Sequence, residues 1–257
     1  MGLRFASLGS GSRGNGTLVA SGGHCLLVDC GFTIKETKRR MARLGISPSD
    51  LCAILVTHEH SDHLSGVAPL ARKYGLPVFL TAGTLRARSI GRLPQVHLIE
   101  GHQPFTVADI QVTPVAVPHD AREAAQFVFR SCGCSLGLLT DLGTVTPHVE
   151  RHFGDCDALV LETNHDPKML VQGPYPPRLK QRVGGAYGHL SNQQAAGFLQ
   201  RVGHQQLQHL VLAHISEKNN RLALVQEALA DAVAGAGNCL FACQEAGFGW
   251  LAVESRG

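Results

Sequence analysis

No apolar run in this sequence approaches the roughly 18 residues that a membrane-spanning helix needs. The start, Met1-Gly-Leu-Arg-Phe, carries no apolar segment ahead of a cleavage site. Ala6 stands where a myristoylation signal wants Ser or Thr. Neither a secretory leader nor a lipid anchor is therefore expected, and the cytoplasm is the default compartment. Charge of one sign is missing too. The 23 Lys+Arg against 20 Asp+Glu leave a net +3, which neither calls for nor excludes a nucleic-acid partner. The eight cysteines form no C-x-x-C pair, and most sit in apolar runs such as Cys25-Leu-Leu-Val and Cys52-Ala-Ile-Leu-Val. They read as small buried hydrophobes rather than as a metal knuckle. Repeats, low-complexity tracts and linkers are absent, so residues 1–257 read as one domain. What the chain does have is 44% hydrophobic residues, which excludes global disorder, and 14 histidines, which need a reason.

The hydropathy pattern alternates strands with helices. Leu3–Leu8, Thr17–Ala20 and Cys25–Asp29 read as short strands, Thr33–Leu44 as an amphipathic helix, and Cys52–Val56 as a buried strand. A helix over Ser65–Tyr74 and another near Ala82–Ile90 flank a strand at Val78–Leu80. Further on, Phe105–Val117 alternates like a hairpin, and Ala158–Leu161 and Leu210–Ala213 are continuous apolar runs. Helices are expected at Thr146–Phe153, Ser191–Val202 and Asn220–Ala234, the second opened by a Ser191…Gln194 capping box. Residues 162–188 read as a long loop, a kind of segment that tends to carry function. Two packed sheets flanked by helices are the expected result.

The chemistry concentrates in Thr57-His-Glu-His-Ser-Asp-His-Leu-Ser-Gly66, directly after a buried strand. Alternation along the strand end lets His58 and His60 point the same way, with Asp62 and His63 in the turn that follows. Three imidazoles and a carboxylate within six residues are borderline ligands suited to Zn²⁺, Mn²⁺ or Fe²⁺. Without a cation they would repel or stay unsatisfied. The same placement recurs at His119 after Val115-Ala-Val-Pro, at Asp141 after Leu138-Leu-Thr, and at His214 after Leu210-Val-Leu-Ala. Chemistry at the carboxyl ends of buried strands is the habit of α/β architectures. A carboxylate between two metals can bridge them, which singles out Asp141.

These residues resemble the metallo-β-lactamase fold superfamily, whose H-x-H-x-D-H signature matches His58, His60, Asp62 and His63. Ser10-Gly-Ser-Arg-Gly-Asn15, Glu162-Thr-Asn-His-Asp166, Gly188-His-Leu-Ser-Asn192 and His214-Ile-Ser-Glu-Lys-Asn-Asn220 resemble its YycJ/WalJ-like branch, related to tRNA 3′-processing endonucleases and phosphodiesterases. The resemblance implies an α+β four-layer αββα sandwich, with two central mixed β-sheets flanked by helices. It implies two divalent metal ions, Zn²⁺ or Mn²⁺ with Fe²⁺ also accepted. One would be held by His58, His60 and His119 and the other by Asp62, His63 and His214, with Asp141 bridging. It also implies a water or hydroxide between the ions as nucleophile, Asp62 in the catalytic set, and a Glu162–His189 pair in which the imidazole acts as general acid. A carboxylate on the far nitrogen raises an imidazole pKa and fixes the ring, so the pairing makes physical sense.

The branch implies a nuclease, a 5′-to-3′ exonuclease on DNA favoured over RNA, with no membrane partner. Candidate substrate contacts are Arg13 and Asn15 near the start, His165, and the cationic stretch Arg178, Lys180 and Arg182. Three rivals stay open. A small-molecule hydrolase (lactonase, thioesterase or cyclic phosphodiesterase) would cleave such substrates and leave nucleic acid intact. An iron-dependent persulfide oxygenase would consume oxygen. A non-catalytic nucleic-acid module would not need every ligand position filled. His24, His97, His102, His148, His152, His204 and His209 show no convergent context and read as surface or structural.

Overall fold

The computed structural model describes residues 2–87, 90–203 and 206–255. Among these residues, two seven-stranded mixed sheets lie face to face with helices outside them. In the first sheet, β1 (Leu3–Gly9), β2 (Gly16–Ser21) and β3 (His24–Val28) form an antiparallel meander. The β2–β3 turn is Gly22-Gly23, both at positive φ, as a tight hairpin turn requires. Parallel strands β4 (Leu51–Leu55), β5 (Pro77–Thr81) and β6 (Gln95–Ile99) continue the sheet, and β14 (Phe248–Val253) closes its other edge against β1.

The second sheet starts with the antiparallel strands β7 (Phe105–Val107), β8 (Ile110–Ala116), β9 (Ala125–Ser131) and β10 (Cys134–Leu139). Parallel strands β11 (Ala158–Glu162), β12 (His209–Ala213) and β13 (Asn238–Phe241) follow. The central strands read as unbroken apolar runs because both of their faces are covered. In β11, Ala158 and Val160 face the core between the sheets, while Leu159 and Leu161 face the outer helices. In β4, Ala53 and Leu55 point to the inter-sheet core and Ile54 to the opposite face. Truncating a fully buried residue of that central layer, such as Phe127, costs about 3–5 kcal/mol.

Helices α1 (Ile34–Ala42), α2 (Ser61–Leu64), α3 (Val67–Tyr74) and α4 (Ala82–Ala87) belong to the first half of the chain. Helices α5 (Pro147–Phe153), α6 (Pro167–Gln172), α7 (Pro177–Val183), α8 (Asn192–Val202) and α9 (Leu222–Leu229) belong to the second. The expected capping box is present: Ser191 Oγ accepts from Gln194 N, and Gln194 Oε1 accepts from Ser191 N.

Several expectations need correcting. The helix expected over Ser65–Tyr74 is split, because α2 already starts at Ser61 and the chain reorients at Gly66. The segment expected as a loop over 162–188 contains α6 and α7. Each opens on a proline, and α7 buries no side chain, so neither leaves an apolar stripe to read. The helix expected from Asn220 begins at Leu222, since the Asn220 side chain is committed to Thr163, Asn164 and Asn192. All eight cysteines are thiols, but Cys132 and Cys243 are exposed; Cys132 lies in a left-handed turn with Gly133.

Candidate metal centre

Strand direction explains why the ligands meet. Strands β8, β10, β11 and β12 run the same way, so their carboxyl ends share one edge of the second sheet. Glu162 closes β11, and just beyond the ends of the other three come His119, Asp141 and His214. The first sheet places Asp29 beyond β3 and Thr57–His63 beyond β4 on the facing edge.

Three imidazoles converge first. His58 Nε2 lies 2.9 Å from His60 Nδ1, and His119 Nε2 lies 3.3 Å from the same nitrogen. The remaining nitrogens of the two buried rings are taken: His58 Nδ1 is 2.9 Å from Thr57 Oγ1, and His119 Nδ1 donates to the Gly188 carbonyl at 3.0 Å. Such partners fix the tautomer and leave one nitrogen of each ring free to ligate. A second group adjoins it. His63 Nε2 is 3.5 Å from Asp62 Oδ2 and 3.4 Å from Asp141 Oδ2, and His214 Nε2 is 3.9 Å from Asp62 Oδ2. His58, His60 and His119 can share one ion, and Asp62, His63 and His214 another. Asp141 groups with both His58 and His63.

The donor set fits divalent metal. Asp141 Oδ2 and His214 Nε2 are buried and make no hydrogen bond, and buried polar atoms are seldom left so. Their chemistry, five imidazole nitrogens and two carboxylates, is that of Zn²⁺, Mn²⁺ and Fe²⁺ sites. Electrostatics agrees. Burial and then the imidazoles of His63, His119, His60 and His214 hold His58 well below the ordinary histidine range, so it presents a neutral ring. Burial works against charge on His63 and His214, but carboxylates outweigh it. Asp141 and Asp29 lift His63 well above its usual range, and Asp141 and Glu162 lift His214 to about 9. Asp62 is held well below the carboxylate range by His63 and His214 despite burial. The carboxylates thus demand positive charge, and protons compete with metal ions to provide it.

Asp29 went unnoticed in the sequence. It is buried at φ 59°, and its carboxylate accepts from Thr57 N, Thr57 Oγ1 and His63 Nδ1, each at 2.8 Å. The only signal was an acidic residue closing an apolar strand.

Beside these groups, His189 Nδ1 is 2.7 Å from Glu162 Oε1, and His214 Nδ1 lies 2.9 Å from the same oxygen. Glu162 is fully buried and held down to about 2 against burial by His189 and His214. Burial works against charge on His189 as well, but Glu162 raises it overall. Gly188 makes the placement possible: a Cβ there would lie 2.2 Å from the carbonyl oxygens of Arg182 and Val183.

The remaining sequence candidates scatter. Asn15 is buried behind the ligands, its Nδ2 3.0 Å from His63 Nε2 and 3.3 Å from Asp62 Oδ2, so it orients that loop from inside. Ser10 Oγ in the same motif accepts from His214 N, and Asn164 Nδ2 donates to the His214 carbonyl, which together hold His214 at φ 54°. Arg13 turns to Glu217 and Glu245, at 2.7 and 2.9 Å, and is not on the cleft wall. Arg182 does line the cleft and is paired with Asp120. Lys180 Nζ donates to the Val171 carbonyl, while Arg178 is exposed away from the cleft. His165 is buried; burial brings it down to about 4. The cleft over the centre is an open space of about 450 Å³.

Of the histidines expected to be bland, His24 pairs with Asp109, His97 stacks on Phe79, and His209 donates to the Ala252 carbonyl. His204 lies outside the described residues. The expectation fails for His102, His148 and His152, which converge because a β-turn and a helix face meet there.

An αββα sandwich carrying this His/Asp cluster at one edge defines a metal-dependent hydrolase. The Beta-lactamase superfamily domain matches residues 24–215, well over half of the chain, and the chain belongs to that superfamily. Exodeoxyribonuclease YycJ of Bacillus anthracis is 38% identical over 230 residues, covering 88% of this chain and 87% of its own. Exodeoxyribonuclease WalJ of Streptococcus pneumoniae is 36% identical over 226 residues, covering 86% of this chain and 84% of its own. Among solved structures, the metallo-beta-lactamase fold protein YhfI from Bacillus subtilis matches with a TM-score of 0.73 at 18% identity, over 98% of this chain and 99% of that one, a likeness of fold. Among the described residues no helix is long and apolar enough to cross a membrane.

Proposed function

We propose that this chain is a DNA exonuclease working in the 5′-to-3′ direction with two divalent ions, zinc or manganese, its residues 1–257 acting as one hydrolase unit in the cytoplasm. The observation that carries the reading is the Glu162–His189 pair, 2.7 Å apart and directly beside the ligand cluster. A hydrolase acting on activated acyl groups has little need of a separate acid, whereas the departing alkoxide of a phosphodiester has. Likeness over most of the chain to two proteins named exodeoxyribonucleases supports the same substrate class.

His58, His60 and His119 would hold one ion, and Asp62, His63 and His214 the other, with Asp141 between them. When bound, the ions supply Lewis-acid polarisation of the phosphoryl group and activation of water. The chain's own residues do the rest. Water oxygen bonds to phosphorus and gives up a proton to solvent, the ester P–O bond breaks, and the leaving oxygen takes a proton from His189, which solvent then restores. Nδ1 of His189 is committed to Glu162, so Nε2 is the nitrogen that faces substrate. Glu162 raises the His189 pKa against burial, which favours the protonated ring that the acid role needs. Asp120 and Arg182 stand together at the cleft, where the guanidinium can meet a phosphate oxygen.

The test is digestion of end-labelled single- and double-stranded DNA and RNA by protein reloaded with Zn²⁺ or Mn²⁺. Mononucleotides released progressively from 5′ ends of DNA are expected. Release from 3′ ends, or preference for RNA, overturns the finer reading. A cleft of about 450 Å³ is within the size range of small-ligand sites, so a small-molecule hydrolase is the second reading. It gains if thioesters, lactones or cyclic phosphodiesters are cleaved while DNA stays intact.

A further inference from the structure

We propose that His102, His148 and His152 form a second transition-metal site, separate from the centre described above, for an imidazole-seeking divalent ion such as Zn²⁺ or Cu²⁺. His102 lies in the turn joining β6 of the first sheet to β7 of the second, and His148 and His152 lie four apart on one face of α5. All three are at least partly accessible, so an ion can reach them. One ligand atom from each lies within 4.8 Å of the others.

The His58–His60–His119 group provides a ruler within the same molecule. His148 Nε2 lies 2.8 Å from His102 Nδ1, against 2.9 Å for His58 Nε2 and His60 Nδ1. The rings of His102 and His148 are 4.1 Å apart at 74°, and those of His148 and His152 are 4.2 Å apart at 50°. The catalytic pair His58–His60 stands at 4.5 Å and 82°. Ring anchoring also matches. His152 Nδ1 donates to the His148 carbonyl at 3.0 Å, as His119 Nδ1 donates to that of Gly188, which leaves Nε2 of His152 as the free lone pair. His102 holds its place at φ 73°, its N–H donating to the Pro114 carbonyl at 2.7 Å. Three imidazole nitrogens suit Zn²⁺, Cu²⁺ or Ni²⁺. An ion there would staple the crossover between the two sheets to the helix that follows the Asp141 loop.

The test uses the full chain, equilibrated with Zn²⁺, desalted and analysed for metal per chain. Wild type is expected to retain one ion more than the His148→Ala/His152→Ala double variant. Titrating Zn²⁺ should raise the wild-type Tm further than that of the variant. Equal metal content and equal thermal response overturn the site, leaving only an imidazole–imidazole hydrogen bond. His102→Gln, on an exposed turn, is the second variant and should lose the same ion. In a third readout, Cu²⁺ added after the catalytic centre is filled with Zn²⁺ should give nitrogen hyperfine splitting in wild type and not in either variant. Its presence in all three would also overturn the assignment.

Discussion

The first sheet delivers four candidate ligand residues from one uninterrupted turn, His58 to His63, whereas the second delivers His119, Asp141 and His214 one at a time from the ends of β8, β10 and β12. The two halves obey different constraints. Spacing within the turn is fixed by local geometry: α2 follows His60 immediately, and Asp29 ties His63 from behind. Spacing in the other half is fixed by register, since β10, β11 and β12 must stay in step for Asp141, Glu162 and His214 to meet. The contiguous half is an autonomous chelator in outline. In the proposed centre, the dispersed half adds a carboxylate placed to bridge and an imidazole placed to act as an acid.

The sharpest way to break this comparison is at its junction. Asp141→Ala should lower the number of ions held and reduce turnover by about 1,000-fold or more, the worth of several kcal/mol of transition-state stabilisation. Unchanged metal content would take Asp141 out of the ligand set. His189→Ala should keep both ions yet lose on the order of 10²–10³ in kcat on an alkyl phosphodiester, with a much smaller loss on a p-nitrophenyl ester. Equal losses on both substrates, with the metal gone, would make His189 a ligand instead of an acid. Asp29→Asn probes the contiguous half, and ion affinity should fall by about 10–100-fold as His63 loses its orienting carboxylate.

Acidity sharpens the same contrast. His214 carries its proton up to about pH 9 because Asp141 and Glu162 outweigh burial, and that proton must leave before the ring can ligate. Ion affinity should therefore rise with pH through the neutral range, by about tenfold per unit for each proton displaced from His214 and from His63, whose pKa is raised as well. A flat profile between pH 6 and 8 in calorimetry would contradict the assignment. The smallest effect belongs to α7. Arg182 lines the cleft, and Arg182→Ala should reduce the slope of log affinity against log salt by about 1. An unchanged slope removes it from the interface.

How much of this was legible follows the same division. The His58–His63 turn announces itself because three histidines and an aspartate crowd into six residues at a strand end, where without a cation they would repel or stay unsatisfied. Central strands were legible because burial on both faces leaves unbroken apolar runs, as in Ala158–Leu161. Helices α6 and α7 were not, because they bury almost nothing and leave no periodic stripe. The role of Asn15 was hidden for another reason. Its amide looks like a phosphate donor in a Gly/Ser-rich segment, and only the tertiary structure puts it behind Asp62 and His63. Asp29 and the His102–His148–His152 cluster depend on approaches between distant segments, which spacing along one chain cannot reveal.

Whether the two halves form one centre is decided by where the ions sit. Anomalous diffraction from crystals loaded with Mn²⁺ would locate the ions. Two peaks about 3.5–4 Å apart are predicted, one beside His58, His60 and His119 and the other beside Asp62, His63 and His214, with Asp141 reaching both. A single peak, or two peaks too far apart for one carboxylate to join, would contradict it.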